Sequence, residues 1–309
     1  MAFKQVLEMY ELLDSAVVTG SAVADLLKDR GATHVDVTTI TGDKGSTDFI
    51  KIVIPGTQGK SKGGSCRTLG ILGRLGGIGA RPGHIGLVSD GDGAVTALAA
   101  ALKLVDMQRK GDPLLGDVII GTHICPDAPI IPHKPVDFMD SPVDMKAMNR
   151  HEIDPQMDAI LSIDTTKGNR VLNVKGFAIS APVKEGYILR ISEDLVRIME
   201  ITSGKPAVIL PITMQDITPY GNDVYHINSI MQPSIATDAP VVGIAITSAT
   251  TVPGCASGAS HAIDIEAAAR FCIEAAKEFG AGTCQFHDQD EFQHLVDLYG
   301  SMKHLQTLP

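Results

Sequence analysis

The sequence predicts a single α/β domain spanning residues 1–309, built as a three-layer sandwich with a mainly parallel, twisted sheet between helices. Two observations favour this fold class. Short apolar runs, typical of buried strands, alternate with amphipathic helical segments throughout the 309 residues, as expected for a parallel sheet covered by helices on both faces. The chain also shows no internal repeat and no composition shift that would divide it into two domains.

The first part of the chain is predicted to contain three helices and five strands. Two helices are expected within residues 4–30, with a break near residues 18–21 and a stop at Gly31. A third helix, packed back on the strand before it, is predicted by apolar residues at helical spacing: Val95, Leu98, Leu102 and Val105. Apolar runs predict strands at 35–40, 48–54, 68–75, 85–88 and 117–122.

The rest of the chain continues the alternation after one irregular segment. Residues 128 to about 155 are punctuated by prolines and show no steady period, which predicts a loop insertion that is either functional or wraps the body of the domain. Helices are predicted after the cap Ser192, at 264–279 and at 290–298. Strands are predicted at 158–163, within 177–191, and at 207–212 and 240–246.

Composition excludes several classes of protein. A net charge of −10 argues against a general nucleic-acid binder. No apolar run approaches the roughly 18 residues of a membrane span, and the amino terminus carries early acids instead of the apolar stretch of a signal peptide. The five cysteines include no CxxC pair, so reduced thiols in a cytoplasmic protein are expected.

Acidic and imidazole side chains follow several of the predicted strands. Asp90 and Asp164 each stand just beyond an apolar run, as do His123 and Asp127, and His261 follows a later one. Since the carboxyl ends of parallel strands meet at one edge of a sheet, these side chains are expected to converge there. A mixed cluster of this kind suits zinc, manganese or cobalt, and such a metal supports hydrolysis.

Ordinary structural roles remain open for the same features. Asp92 suits a helix cap and Asp90 suits a glycine-rich turn. Residues 49–89 carry no acid but six basic residues, which either face an anionic group or are simply solvated, the latter being the more common case: Lys51, Lys60, Lys62, Arg67, Arg74 and Arg81.

Four stretches resemble the core of the dinuclear zinc aminopeptidase superfamily, which includes the glutamyl and deblocking aminopeptidases. Residues 89–98 (SDGDGAVTAL) are similar to its Asp-Asp-x-x-Gly-x-x-x-Leu strand-to-helix turn. Residues 158–166 resemble the strand that ends in a terminal-ligand Asp, and residues 221–223 resemble a Gly-Thr-Asp segment near the substrate cleft. Residues 245–248, with His261 and the helix after it, resemble the last strand, ligand and helix. The chain is also similar to a bacterial family of unknown function and of this length.

The resemblance implies a metal held by Asp90, Asp164 and His261, with Asp223 orienting the substrate. The sequence departs from the family at two places. The family's His-x-Asp pair is missing from residues 69–74, and its paired glutamates are replaced by residues 125–127, Cys-Pro-Asp. One ligand and the catalytic base are therefore absent from their usual positions, and His84, His123 or Asp127 is expected to substitute.

Glycines at two ligand positions of the family are a further departure. Gly73 and Gly76 stand where bulky metal ligands would project in the family. The resemblance therefore implies extra room in the cleft at these positions.

The sequence thus predicts a metal-dependent hydrolase of the amidase or aminopeptidase type, acting on a small peptide or an amino-acid derivative. Asp127 and His123 are the candidate catalytic residues, and Arg74 and Arg81 the candidate receptors for a substrate carboxylate. The expected cofactor is a divalent metal, zinc in the first place and manganese or cobalt otherwise, or none at all. A small ligand and a homo-oligomer are expected, with neither nucleic acid nor membrane as a partner.

Two other functions remain open. The first is a binding or regulatory protein that has kept the scaffold and lost the catalytic base. The second is metal-free chemistry at Cys125 or Cys255.

Overall fold

The computed structural model describes residues 1–74, 76, 78, 87–167, 169–252 and 255–307. The helices of this part are α1 (Phe3–Leu13), α2 (Gly20–Arg30), α3 (Asp92–Arg109), α4 (Met145–Glu152), α5 (Glu193–Ser203), α6 (Ala262–Ala281) and α7 (Gln289–Tyr299). The strands are β1 (His34–Gly42), β2 (Gly45–Ile54), β3 (Leu69–Gly73), β4 (Val118–Ile124), β5 (Ile130–Ile131), β6 (Phe138–Met139), β7 (Ala159–Thr165), β8 (Gly176–Ser180), β9 (Val183–Lys184), β10 (Tyr187–Ile188), β11 (Ile209–Leu210) and β12 (Val241–Thr247).

One large sheet organises the molecule, with the strand order β1-β2-β4-β3-β7-β12-β8-β11. Its four central strands, β4, β3, β7 and β12, run parallel to one another. The hairpin of β1 and β2 adds to one side in antiparallel fashion, and β8 does so on the other side. The predicted α/β fold class is confirmed, and the parallel centre brings the carboxyl ends of four strands to one edge.

The central strands are buried on both faces, and their residues alternate between two cores. In β7, Leu161 and Ile163 pack into the larger core, whereas Ile160 packs into a smaller one on the opposite face. The larger core includes apolar residues of α1, α2, α3, α5 and α6. The opposite face carries α4 and irregular segments, and α4 contacts β2 and β4 there. Among the described residues, no helix combines the length and apolar character that a bilayer crossing requires.

Capping residues explain where several predicted helices begin and end. Thr19 Oγ1 accepts a hydrogen bond from the backbone N–H of Ala22 at the start of α2, and Gly31 ends that helix in the left-handed conformation. Ser192 caps α5 through the backbone N–H of Leu195. Residues 85 and 86 of the strand predicted at 85–88 lie outside the described residues, and residues 87 and 88 are not in a strand.

Residues 128–155 differ from the uninterrupted loop that the prolines suggest. They contain the short strands β5 and β6, which pair with each other, and the helix α4. Asp144 begins α4, since its Oδ1 accepts a hydrogen bond from the N–H of Ala147 at 2.7 Å. An eight-residue helix is too short for a helical period to show in the sequence. This helix matters because it covers the face of the sheet on which the candidate site lies.

The predicted extra room at Gly73 and Gly76 is contradicted by the backbone around them. A Cβ on Gly73 would lie 2.6 Å from the carbonyl oxygen of Gly93, and one on Gly76 would lie 1.6 Å from that of His123. These glycines therefore allow close backbone contact between the end of β3, the start of α3 and the end of β4.

Gly73→Ala is expected to lower the free energy of unfolding by about 1–3 kcal/mol, because α3 must move away from β3 to admit the methyl group. Gly258→Ala is the matched control, since a Cβ at Gly258 meets nothing within 4 Å. Urea denaturation of both variants checks the prediction. An equal, small loss in the two would contradict the close contact at Gly73.

Candidate functional site

The candidate site is a cleft at the carboxyl ends of the central strands. It has a volume of about 460 Å³, within the usual range of about 300–1,000 Å³ for small-ligand sites. The turn 89–91 contributes Asp90, the end of β4 contributes His123, and the 219–221 segment contributes Tyr220. The start of α4 and the loop before it form the remaining wall. The predicted convergence at this edge of the sheet therefore holds for some of the candidate residues.

Asp90 and Asp164 place two carboxylates in the same buried region. Each residue is only 2 % exposed. Asp164 accepts hydrogen bonds from the Ser229 hydroxyl at 2.6 Å and from the N–H of Thr165 at 2.7 Å. Asp90 Oδ1 is buried and has no hydrogen-bond partner among the described residues. Such a pair is unfavourable while both groups are charged, unless a proton or a cation lies between them.

Burial and mutual repulsion raise the pKa values of groups in this region. Burial, together with the neighbouring carboxylate of Asp164, raises the pKa of Asp90 well above its ordinary value. Burial raises the pKa of Asp164 to about 6. Burial and the charge of Asp164 also raise the pKa of Tyr220, whose hydroxyl is hydrogen-bonded to Ser229. The carboxyl groups of Asp90 and Asp164 are therefore stabilised by a bound proton or by a nearby positive charge.

The two cysteines proposed for metal-free chemistry are protonated thiols. Burial raises the pKa of Cys125 to about 11. Burial and the carboxylate of Asp90 raise the pKa of Cys255 still more, and the Cys255 sulfur accepts a hydrogen bond from the N–H of Met139 at 3.0 Å. A reactive cysteine requires a thiolate stabilised by positive surroundings. The acidic surroundings of these thiols disfavour nucleophilic chemistry.

His123 belongs to a buried polar network with Glu152 and Arg74. The N–H of Gly76 donates to His123 Nε2 at 3.0 Å, so the ring proton lies on Nδ1, which donates to Glu152 Oε1 at 2.7 Å. Glu152 Oε2 pairs with the Arg74 guanidinium, and both of these side chains are fully buried. Burial alone would raise the pKa of Glu152, but the charge of Arg74 and the hydrogen bond from His123 hold it below its ordinary value.

A second buried ion pair lies at the same edge of the sheet. Lys167 Nζ is 2.5 Å from Asp92 Oδ2 and also donates to the carbonyl oxygen of Ala259, while the Ser260 hydroxyl donates to Asp92 Oδ1. His261 is next in the chain, at the exposed start of α6, and its charge acts on Asp92. The charge of the Asp92 carboxylate is therefore balanced by the ammonium group of Lys167.

The remaining predicted site residues have different environments: the charge of Arg74 acts on Asp164, and His84 lies outside the described residues. Asp127 is exposed in the turn that follows β4, and Asp223 is exposed with a φ of 63°. Arg74 faces Glu152 inside the protein, and Arg81 lies outside the described residues. Three other basic residues of the 49–89 stretch contact partners on other segments: Lys51 binds Asp154, Lys60 binds Asp158 and Arg67 binds the carbonyl oxygen of Cys284.

The predicted metal ligands come together only in part. Asp90 lines the cleft and is close enough to the buried Asp164 for the two charges to interact, whereas His261 acts on Asp92. Within the described ranges, no group of three or more His, Cys, Asp or Glu side chains is arranged to hold a metal ion. The metal-ligating and catalytic roles assigned to these residues from the sequence stay predictions.

Comparisons with known proteins agree with this fold. A model of the family described as "Protein of unknown function (DUF1177)" matches residues 38–309, and no curated protein matches the chain. The chain is similar to the solved structure of the bottromycin maturation enzyme BotP, with 15% identity and a TM-score of 0.56 over 91% of this chain and 70% of that one.

Two further solved structures show the same likeness. BotP in complex with Mn gives 13% identity and a TM-score of 0.53 over 88% of this chain and 71% of that one. The LapA aminopeptidase of Legionella pneumophila gives 11% identity and a TM-score of 0.50 over 92% and 70% of the two chains. The predicted likeness to the zinc aminopeptidase fold is thereby confirmed.

Proposed function

The chain belongs to the family of proteins of unknown function DUF1177, and we propose that it is a metal-dependent hydrolase of amide bonds in a small peptide or an amino-acid derivative. One observation carries the proposal. Asp90 and Asp164 are buried together at the carboxyl edge of the sheet, and Asp90 Oδ1 has no hydrogen-bond partner in the part of the chain that the structure describes. A divalent cation bound there would satisfy that oxygen and neutralise both carboxylates.

The donor set fits a divalent cation in part. Catalytic zinc normally has three protein ligands, and the described residues supply two carboxylates. A hard cation such as Mn²⁺ or Mg²⁺ accepts few carboxylates and keeps water as its other ligands, so manganese is proposed ahead of zinc. The likeness to a BotP structure that contains Mn supports this choice. When bound, the metal would lower the pKa of a water and polarise the substrate carbonyl.

The other residues of the cleft would bind and orient the substrate. The Tyr220 hydroxyl donates to Ser229 Oγ, whose own proton goes to Asp164, so the Tyr220 oxygen is left to accept a hydrogen bond from a substrate N–H. His123 is held in one tautomer by Glu152 and Gly76, so it fixes the backbone at Gly76, beyond the end of β3. Ser229 holds the Asp164 carboxylate in place at 2.6 Å.

The experiment loads the metal-free full-length protein with Mn²⁺ or Zn²⁺ and measures binding by calorimetry and hydrolysis of aminoacyl and N-acyl amino-acid amides. We expect about one bound cation per chain in the wild type and a loss of at least about tenfold in affinity for Asp90→Asn or Asp164→Asn. Asp36→Asn, an exposed change on β1, is the matched control. Absence of cation binding to the wild type, or equal binding to all variants, would contradict the proposal.

A binding or regulatory protein is the second candidate, and one observation favours it. Both ring nitrogens of His123 are occupied, and Asp127 is exposed in a turn, so neither offers a free general base to the acidic pair. This candidate predicts that the cation binds and that amino-acid-like ligands raise the melting temperature without any hydrolysis. The same loading experiment therefore separates the two functions.

A further inference from the structure

A smaller pocket of about 220 Å³ lies beside the cleft, between α4 and the segment around residues 219–236. We call it the α4 pocket. Met145, Lys146 and Tyr220 line both the cleft and this pocket. The pocket is smaller than the about 300–1,000 Å³ of a whole-ligand site, so it suits one end of a ligand whose other end occupies the cleft.

The charge of the α4 pocket is opposite to that of the cleft. Lys146 and Arg150 line it from α4, four residues apart and hence on one side of the helix. Within the described ranges, neither has an ion-pair partner and no carboxylate lines the pocket. In a chain with a net charge of −10, two uncompensated cations around one cavity indicate an anionic ligand.

Asn149 supplies a second, independent observation. Its side chain lines the pocket from between the two cations and is only 4 % exposed. Its Nδ2 donates to the carbonyl oxygen of Gln232 at 3.1 Å, whereas its Oδ1 is buried and no described residue hydrogen-bonds to it. A buried acceptor is seldom left unpaired in a folded protein, so Oδ1 is suited to receive an N–H group from a ligand.

From this arrangement we propose that the α4 pocket binds the carboxylate end of the substrate. Lys146 and Arg150 receive the carboxylate, and Asn149 Oδ1 accepts the N–H of the residue that carries it. The inference rests on the proposed function, because the amide bond to be cleaved would lie at Asp90 and Asp164 in the adjoining cleft. The substrate class is then a short peptide or N-acylated amino acid with a free carboxylate. The role predicted for Arg74 falls instead to Lys146 and Arg150, which have no ion-pair partner among the described residues.

The test is direct binding, measured by calorimetry on the full chain in the presence of a chelator, where metal-dependent hydrolysis cannot occur. The probes are N-acetyl-alanylalanine and its C-terminal amide. Because hydrogen bonds to charged groups are strong, we expect the free acid to bind about tenfold or more tightly than the amide. Lys146→Met/Arg150→Met should remove this preference, and added salt should weaken it in the wild type.

The matched control is Lys4→Met/Lys28→Met, which removes two exposed charges from α1 and α2 on the other face of the sheet. It should keep the preference for the free acid. Equal affinity for the two probes, a preference that survives in Lys146→Met/Arg150→Met, or no binding of either probe overturns the inference. A preference for the free acid without any hydrolysis by the metal-loaded enzyme supports carboxylate binding in the α4 pocket and contradicts the proposed function. Hydrolysis without that preference supports the proposed function and contradicts carboxylate binding in the α4 pocket.

Discussion

Glu152→Ala is expected to lower the free energy of unfolding by about 3–5 kcal/mol, because it leaves a buried charge without its partner. The Arg74 and Glu152 side chains are both fully buried, and His123 donates its Nδ1 proton to the same carboxylate. Removing that carboxylate strands the Arg74 guanidinium in the interior and leaves the imidazole N–H unpaired. Urea denaturation followed by circular dichroism measures the loss.

Two further variants separate this cause from a general sensitivity to mutation. Glu291 pairs with Arg190 on the surface, where the two side chains are 51% and 63% exposed, so Glu291→Ala should cost less than about 1 kcal/mol. Arg74→Met combined with Glu152→Ala should be more stable than Glu152→Ala alone, since no unpaired charge remains. A loss for Glu152→Ala no larger than that for Glu291→Ala would show that the buried pair contributes little.

The loss of unfolding free energy in Glu152→Ala should depend on pH, and the contacts of Glu152 with Arg74 and His123 determine the direction. The pKa of Glu152 is lower in the folded protein than in the unfolded chain, so its contribution is complete above the ordinary glutamate pKa of about 4.3 and is lost as the pH falls through the folded value. The difference in unfolding free energy between wild type and Glu152→Ala should therefore narrow below about pH 4. A difference that stays constant from pH 7 to pH 3.5 would contradict this account.

Much of the fold is predictable because it is encoded in local patterns. The caps Thr19 and Ser192, the terminal glycine Gly31 and the apolar runs of the central strands each act within a few residues of the chain. The alternation of strands and helices then restricts the sheet to a small set of topologies. The short helix α4 escapes this reasoning because it has only eight residues and follows a proline-rich stretch. Asp144 was the one local signal for it.

The candidate site is less predictable because its partners come from distant segments. Asp90 and Asp164 are found from the apolar runs that precede them in the sequence, and the structure brings both into one region. Glu152 contacts Arg74 and His123 across separations of 78 and 29 residues, which no local pattern reveals. A glutamate near a predicted loop is usually solvated, so its burial is visible only in three dimensions. The burial of Lys167 beside Asp92 is likewise visible only in three dimensions.

Lys167→Met is expected to destabilise the protein by about 3–5 kcal/mol, for it removes the counter-charge of a fully buried carboxylate. The Lys167 and Asp92 side chains are 1% and 0% exposed. Burial raises the pKa of Asp92, and the charge of Lys167 opposes that rise more than any other group. Without the ammonium, the Ser260 hydroxyl is the one side-chain donor to Asp92 that remains among the described residues. Thermal and urea denaturation of the variant give the loss directly.

Loss of the ion pair between Lys167 and Asp92 is also expected to weaken cation binding in the cleft. The pair connects the segment after Asp164 with the segment after Asp90. Lys167 follows β7, which carries Asp164, and Asp92 is two residues beyond Asp90. A folded fraction of Lys167→Met should therefore bind cations more weakly than wild type, although Lys167 is not itself a ligand. Lys205→Met, which removes an exposed lysine, should change stability by less than about 0.5 kcal/mol and leave cation binding intact. If the two lysine variants have the same stability and the same cation affinity, the Asp92 carboxylate needs no internal cation. That result would contradict the proposed coupling between the ion pair and the cleft.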